Sequence, residues 1–361
     1  MTDATRAAAW AALSSAGLAA PTLVALLRAF GAPERVLEAS RASVEGVAGR
    51  EAAAKLASRD RTLDDAAAAW LAEPGHRLLS WDDTEYPKAL LELTDPPPSL
   101  YALGHLELLN VPSLAIVGSR QGTPQGVEDA HAFARTLAHA GYTIVSGLAQ
   151  GIDAAAHRGA LETAASTIAV TGTGPDRVYP AANRDLAHAI ATRGALVTEF
   201  APGTPPLKGN FPRRNRLIAG LARGVLVVEA APGSGSLITA RQAVEQGKDV
   251  FAIPGSIHSP LSKGPHALIR DGAKLVETAQ DVLTELGVAS PRSPEAPAGD
   301  PPPADPVHAR VLDAMGRGPV DLDRLVTRTG LRAEALAAAL VHLELDGRVA
   351  ALAGGGWERL R

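Results

Sequence analysis

Apolar and polar positions fall into three kinds of pattern along the 361-residue chain. From Met1 to about Glu73, Trp10, Leu13, Leu18, Leu23, Leu26, Leu27 and Phe30 recur at helical spacing. Gly17, Gly31-Ala-Pro33 and Gly46-Val-Ala-Gly49 punctuate that periodicity. The pattern predicts a helical domain of SAM or helix-hairpin-helix type over residues 1–75. A Gly46–Gly49 turn can hold a phosphate through backbone N–H groups. No Lys or Arg flanks Gly46 closely before Arg50, so a tight helix–helix connection is the favoured reading.

The second pattern covers residues 76–287. Short β-type runs occur at Leu114–Val117, Thr143–Ser146, Thr167–Val170, Leu196–Thr198, Val225–Glu229, Val250–Ile253 and Lys274–Val276, with helical stretches between them. The runs are continuously apolar rather than alternating, as strands covered on both faces are. Strand–helix alternation of this kind predicts an α/β domain with a Rossmann-like, doubly wound, mostly parallel sheet. A Pro-rich spacer with nothing to bury is expected at 288–306. Three helical runs and a glycine-centred hairpin then predict a winged helix at 307–361.

Composition narrows the choices. The chain is 46% apolar and long enough for two or three domains. It has no cysteine, which removes disulfides, thiolate metal sites and cysteine nucleophiles together. Its histidines show no two-ligand spacing backed by carboxylates, so neither a metal nor a cofactor is expected. The first twenty residues lack the order of a secretory signal, and no apolar run is long enough for a membrane span. A cytoplasmic protein is expected. The net charge is −4, so an anionic partner requires a local basic patch.

Ligands of open parallel sheets gather beyond the carboxyl ends of the strands. There this chain places Gly118-Ser119-Arg120, Ser146-Gly147 with Gly151, Thr171-Gly172, Glu199, Glu229 followed by Gly235-Ser236 and Thr239, and Pro254-Gly255. Small turn residues are what such loops need in any case. Six loops in phase, one with an arginine, point further, to a rim that holds phosphates. The segment Pro205–Arg223 adds Lys208, Arg213, Arg214, Arg216 and Arg223 without an acidic residue, with Phe211 and Asn215 among them. Cations interleaved with an aromatic suit a single nucleic-acid strand. Arg216 and Arg223 are also read as partners of Glu199 or Glu229. Asp153 and His157, four apart, are read as a helix cap with a local hydrogen bond rather than a catalytic pair.

These pieces, in this order, resemble the DNA-processing protein A (DprA/Smf) family. The resemblance is carried over roughly two hundred residues by Tyr86-Pro87, Asp95-Pro-Pro-Pro98, Gly118-Ser-Arg120, Ser146-Gly147 with Gly151-Ile-Asp153, Tyr179-Pro180 with Asn183, Phe211-Pro-Arg-Arg-Asn-Arg216, Gly235-Ser-Leu-Ile-Thr239 and Pro254-Gly255. It implies a non-catalytic, homodimeric binder of single-stranded DNA that helps load the recombinase RecA during transformation and recombination. It further implies that Arg120 and Lys208 contact phosphates and that Phe211 lies in the binding pocket. The expected DNA-binding set is Gly118, Ser119, Arg120, Ser146, Gly147, Gly151, Gly172, Lys208, Phe211, Arg213, Arg214, Asn215, Ser236 and Thr239. One departure is His266, which stands where the family has Asn and so alters the hydrogen bond made there.

Two other classes compete. Pro232–Thr239 faintly resembles the loop of nucleotide-hydrolysing phosphoribohydrolases, with Glu199 and Glu229 as acid–base candidates. The acidic residue that closes that motif is replaced by Arg241-Gln242. A dinucleotide-dependent oxidoreductase is disfavoured, because Gly118-Ser-Arg-Gln-Gly122 lacks the Gly-x-Gly-x-x-Gly pattern. In the last segment, from Asp305 on, eight arginines face eight acidic residues, a balance unsuited to reading duplex DNA.

Overall fold

The computed structural model describes residues 3–164, 166–287, 305–316, 319–352 and 355–360. The chain opens with helices α1 (Asp3–Ser15), α2 (Ala20–Phe30), α3 (Pro33–Glu38), α4 (Arg41–Ala57) and α5 (Arg61–Leu71). Prolines stand in the first turns of α2 and α3, where no N–H is needed. Gly31, left-handed, closes α2, and the Ser40 and Asp60 side chains cap α4 and α5. The break expected near Gly46–Gly49 is a kink at Gly49, φ 85°, between two helical halves. The core of this layer holds Trp10, Leu13, Leu23, Leu26 and Trp70, and also takes in Leu78 and Tyr101 from the sheet that follows.

That sheet has nine strands. In chain order the domain runs β1 (His76–Ser80), β2 (Ser99–Gly104), β3 (Ser113–Val117), α6 (Pro124–His139), β4 (Thr143–Ser146), α7 (Ile152–Leu161), β5 (Thr167–Val170), α8 (Arg184–Arg193) and β6 (Ala195–Thr198). It continues with α9 (Asn210–Leu221), β7 (Gly224–Val227), α10 (Gly235–Glu245), β8 (Asp249–Ala252), α11 (Lys263–Arg270), β9 (Lys274–Leu275) and α12 (Ala279–Glu285). The spatial order is β1-β2-β6-β5-β4-β3-β7-β8-β9. All seven expected strands are present and mutually parallel. Strands β1 and β2 are additional; β2 joins antiparallel to β6, and β1 to β2.

Successive strand residues point to opposite faces. Leu114, Ile116 and Leu226 meet α6, α7 and α12 on one side. Ala115, Val117, Val225 and Val227 meet α9 and α10 on the other. Beyond β3 the chain winds toward β6, and α9 then carries it back to β7 on the far side of β3. The strand order therefore reverses between β3 and β7, where a doubly wound sheet opens its crevice.

The linker expected at 288–306 lies, up to residue 304, outside the described residues. After it come α13 (Pro306–Met315), β10 (Val320–Asp321), α14 (Leu322–Thr329), α15 (Ala333–Leu345), β11 (Val349–Ala351) and β12 (Gly356–Arg359). Strands pair in the order β10-β12-β11 over a core of Val311, Leu325, Leu336, Leu340 and Leu343, as a winged helix requires. Glu358 of β12 is buried where the unit meets α6. Its carboxyl accepts the Gln125 backbone N–H and lies near Asp129 and Glu229, at one wall of a cleft of about 640 Å³. Burial pushes the Glu358 and Asp129 carboxyls up, and the neighbouring acids add to that. No helix among the described residues is long and apolar enough to cross a membrane.

Candidate nucleic-acid interface

An open groove of about 930 Å³ runs along the carboxyl edge of the sheet. Gly118, Ser119 and Arg120 after β3, Lys208 and Phe211 before and in α9, and Ser234–Thr239 at the start of α10 line it. Arg120 and Lys208 are exposed and have no acidic partner among the described residues. The Arg120 guanidinium stands 5.6 Å from the centroid of the Phe211 ring, a cation–π arrangement. The Phe211 ring packs against Gly172, where a Cβ would sit 2.9 Å from a ring carbon. Gly172 thus serves as a floor for the aromatic, and any side chain there would lift the ring.

The loop between β4 and α7 is held by side chains at nearly every backbone polar group. Gly147 and Ala149 donate to Asp153 Oδ2 at 3.1 and 3.4 Å, and Gly118 N–H faces the same carboxylate. Leu148 donates to His157 Nε2, while Asn183 Nδ2 donates to the Leu148 and Ala149 carbonyls. Arg214 Nη1 donates to Gly147 O at 2.7 Å and to Val170 O. These bonds hold Leu148 at φ 57°, a left-handed conformation costing roughly 1–2 kcal/mol for such a residue. Gly151, φ 74°, packs so tightly on the Ser119 and Arg120 backbone that no side chain fits. Asp153, expected as a helix cap bonded to His157, is neither. Gly151, not Asp153, is the cap position of α7, and the carboxylate ties the β3 and β4 loops together without bonding His157.

The protonation states follow from this geometry. His157 accepts from Leu148 at Nε2, so Nδ1 carries the proton and donates to Thr167 Oγ1 at 2.7 Å; Thr167 in turn donates to Ile144 O. Burial first, then Arg214 and Arg158, push its pKa down to about 3. Burial pushes Asp153 up, against Arg214 and the backbone N–H groups, and pushes Arg214 down to about 10. A histidine kept neutral when folded binds fewer protons than when unfolded. Its contribution is complete above its ordinary pKa of 6.5 and is lost as pH falls toward about 3. Urea unfolding should therefore show the wild type losing about 2 kcal/mol more than His157→Gln between pH 7.5 and pH 5. Parallel losses in the two proteins would place the imidazole outside the folded core.

Several residues of the expected DNA-binding set have other work. Arg214 lines the groove floor but is only 5% exposed, its guanidinium spent on loop carbonyls. Asn215, also buried, donates to Gly235 O at 3.1 Å. Ser146 donates to Ile116 O inside the sheet, and Thr239 turns back on Gly235 O. The Gly147 N–H is occupied by Asp153. Arg213 reaches the surface but is paired with Glu199 at 3.0 Å. Ser119 accepts Gln121 N–H, and Ser236 pairs with Ser234 beside the start of α10, both along the groove wall. Glu199 also binds Arg216, as expected; Glu229 binds neither arginine, its two oxygens accepting from the Thr123 N–H and hydroxyl at 2.8 Å each. Arg223 has no bond to either carboxylate. His266 places Nε2 3.1 Å from Gly255 O, so the imidazole takes up the contact with the Pro254–Gly255 loop.

Glu229 decides what the crevice cannot hold. The first turn of α6, at the β3–β7 switch point, is where a doubly wound sheet receives a pyrophosphate. Here a carboxylate fills it: a Cβ at Gly126 would collide with Glu229, 2.5 Å from its carboxylate. The rim's cations, Arg120 and Lys208, lie instead along the groove that the α10 N-terminus also lines. In the winged helix, α15 is the element that would enter a major groove. It contains no Lys or Arg and exposes Val341 and Leu345. That surface is unsuited to duplex DNA.

Fold and site together define a doubly wound α/β protein with a cation-and-aromatic groove on its sheet edge and a winged helix behind it. Residues 77–287 match the family model of DNA recombination-mediator protein A, and residues 294–355 match that of the DprA winged helix domain. The chain belongs to the DNA recombination-mediator protein A (DprA/Smf) family. It is 43% identical over 298 residues to Protein Smf of Escherichia coli, covering 81% of this chain and 79% of that one. Among solved structures it is similar to DNA processing protein A from Streptococcus pneumoniae, with TM-score 0.67 and 40% identity over 76% of this chain and 95% of that one. It is also similar to DNA processing protein A from Helicobacter pylori, a structure described for a unique single-stranded DNA binding mode. That match has TM-score 0.54 and 34% identity, covering 58% of this chain and 95% of that one.

Proposed function

We propose that this protein is a non-catalytic binder of single-stranded DNA. It holds the strand in the groove on the carboxyl edge of the sheet and presents it to RecA recombinase in the cytoplasm. The observation that carries the proposal is two cations without an acidic partner, Arg120 and Lys208, beside an aromatic, Phe211, in one open groove. Phosphates meet the cations, and a base meets the ring. The single-strand binding described for the Helicobacter pylori relative supports this reading, as does the family's description as a recombination mediator. One groove spans few nucleotides. A homodimer formed through the sheet domain would place two grooves on one strand and gain by effective concentration.

The nucleotide-hydrolase alternative fares worse on the geometry of its carboxylates. Glu199 is buried against two arginines, and Glu229 is committed to Thr123, so neither is poised to move a proton. Fluorescence anisotropy of labelled poly-dT, beside a duplex of equal length, across a salt series tests the proposal. Binding is expected for the single strand in preference to the duplex, weakening steeply with salt. Folded protein that ignores single strands would overturn it and return attention to nucleotide hydrolysis.

A further inference from the structure

Next to Phe211 lies a second aromatic side chain. Tyr179 follows the β5 loop and stands 45% exposed, a high value for a ring in contact with other side chains. Its ring centroid is 5.5 Å from that of Phe211, with the planes tilted by 42°. Both residues line a small recess of about 60 Å³ with Arg120, Gln150 and Pro180. Tyr179 makes no hydrogen bond among the described residues. Its packing accounts for one edge of the ring, and burial does not account for the rest.

The geometry points to Tyr179 as a second base-stacking platform, one nucleotide along the strand from the base on Phe211. This deepens the single-strand reading and rests on it. The two rings touch, which leaves no room for a base between them. Their tilt presents two faces in different directions, so one planar base cannot lie flat on both. A strand whose phosphates are held at Arg120 and Lys208 would lay one base on Phe211 and turn the next onto Tyr179. Stacking on an aromatic face accepts any base, so the second platform adds affinity without sequence preference. It also sets the step between neighbouring bases, which a lone ring does not.

The test separates stacking from phosphate contact. Wild type, Tyr179→Ala, Tyr179→Leu and Tyr179→Phe are titrated with fluorescein-labelled dT strands and with abasic strands of the same length. Alanine and leucine should weaken dT binding about five- to hundredfold, leave abasic binding unchanged and leave the salt slope unchanged. Phenylalanine should bind dT as the wild type does, because the ring and not the hydroxyl is the contact. Equal dT affinity in all four proteins would overturn the inference. So would an equal loss on dT and abasic strands, which would mean that Tyr179 only shapes the loop. Wild-type protein that binds neither strand removes the single-strand reading and this inference with it. Binding by the wild type with no effect of Tyr179→Ala removes this inference alone.

Discussion

Replacing Arg120 and Lys208 together by alanine is expected to weaken single-stranded DNA binding roughly a hundredfold or more at low salt, since each charge-assisted contact contributes about 1.5–3 kcal/mol. The change in salt dependence is the more diagnostic result. Each phosphate neutralised on a single strand contributes about 0.7 to the slope of log affinity against log salt, so the slope should fall by about 1.4. Both side chains are exposed and have no acidic partner, so their removal leaves no buried charge behind and the fold should survive. Anisotropy across a salt series reads both quantities. A double variant with lower affinity but the wild-type slope would mean that the phosphates are held elsewhere, with the first turn of α10 as the next place to look.

Arg214→Ala should act on folding instead. The substitution removes the positive charge that offsets the buried Asp153 carboxylate and leaves the Gly147 and Val170 carbonyls without their donor. Taking one partner out of a buried charged hydrogen-bond network costs about 3–5 kcal/mol. Its neighbour Arg213, 57% exposed and paired with Glu199, should cost about 1 kcal/mol at most on replacement by alanine. Arg214→Lys should recover only part of the loss, because an ammonium does not reproduce the planar fork that reaches two carbonyls. Urea denaturation of the three variants checks the order. Full stability in Arg214→Ala, with a reduced salt slope in DNA binding, would return that arginine to the interface.

The contrast between Arg213 and Arg214 shows what the sequence discloses and where reading it falls short. A basic run with an embedded Phe is visible as composition, but composition gives no direction. Direction was available from helical phase. Residues three and four apart share a face: Arg214 has Leu217 and Ile218 there, both buried, whereas Arg213 has half-buried Arg216 and Leu217 and so sits at the edge of the buried stripe. The parallel strands were legible because each is a short continuous apolar run ending in a loop of small residues. Strands β1 and β2 were not: His76-Arg-Leu-Leu-Ser80 is short, and the chain between the two passes through Asp95-Pro-Pro-Pro98, which reads as loop. Arg120, Lys208 and Phe211, which line the groove, stand out by the chemistry of their side chains. The loop locks Asp153, His157 and Asn183 act through contacts that the chain order does not reveal. Tyr179 was visible as an aromatic before a proline, yet only its approach to Phe211 in space gives it a partner.

The helical layer and the first two strands share one core, with Leu78 and Tyr101 packed among Trp10, Leu23 and Trp70. Tyr101 lies in β2, which pairs with β6, so the helices are fastened to the same sheet that carries the groove. The seam between helices and sheet is therefore not a hinge. Cutting the chain after Leu71 would leave a greasy scar on the sheet and two tryptophans with nothing to cover them, and fragments beginning at β1 should clump rather than stand alone. In this chain the helical layer and the sheet stand or fall together.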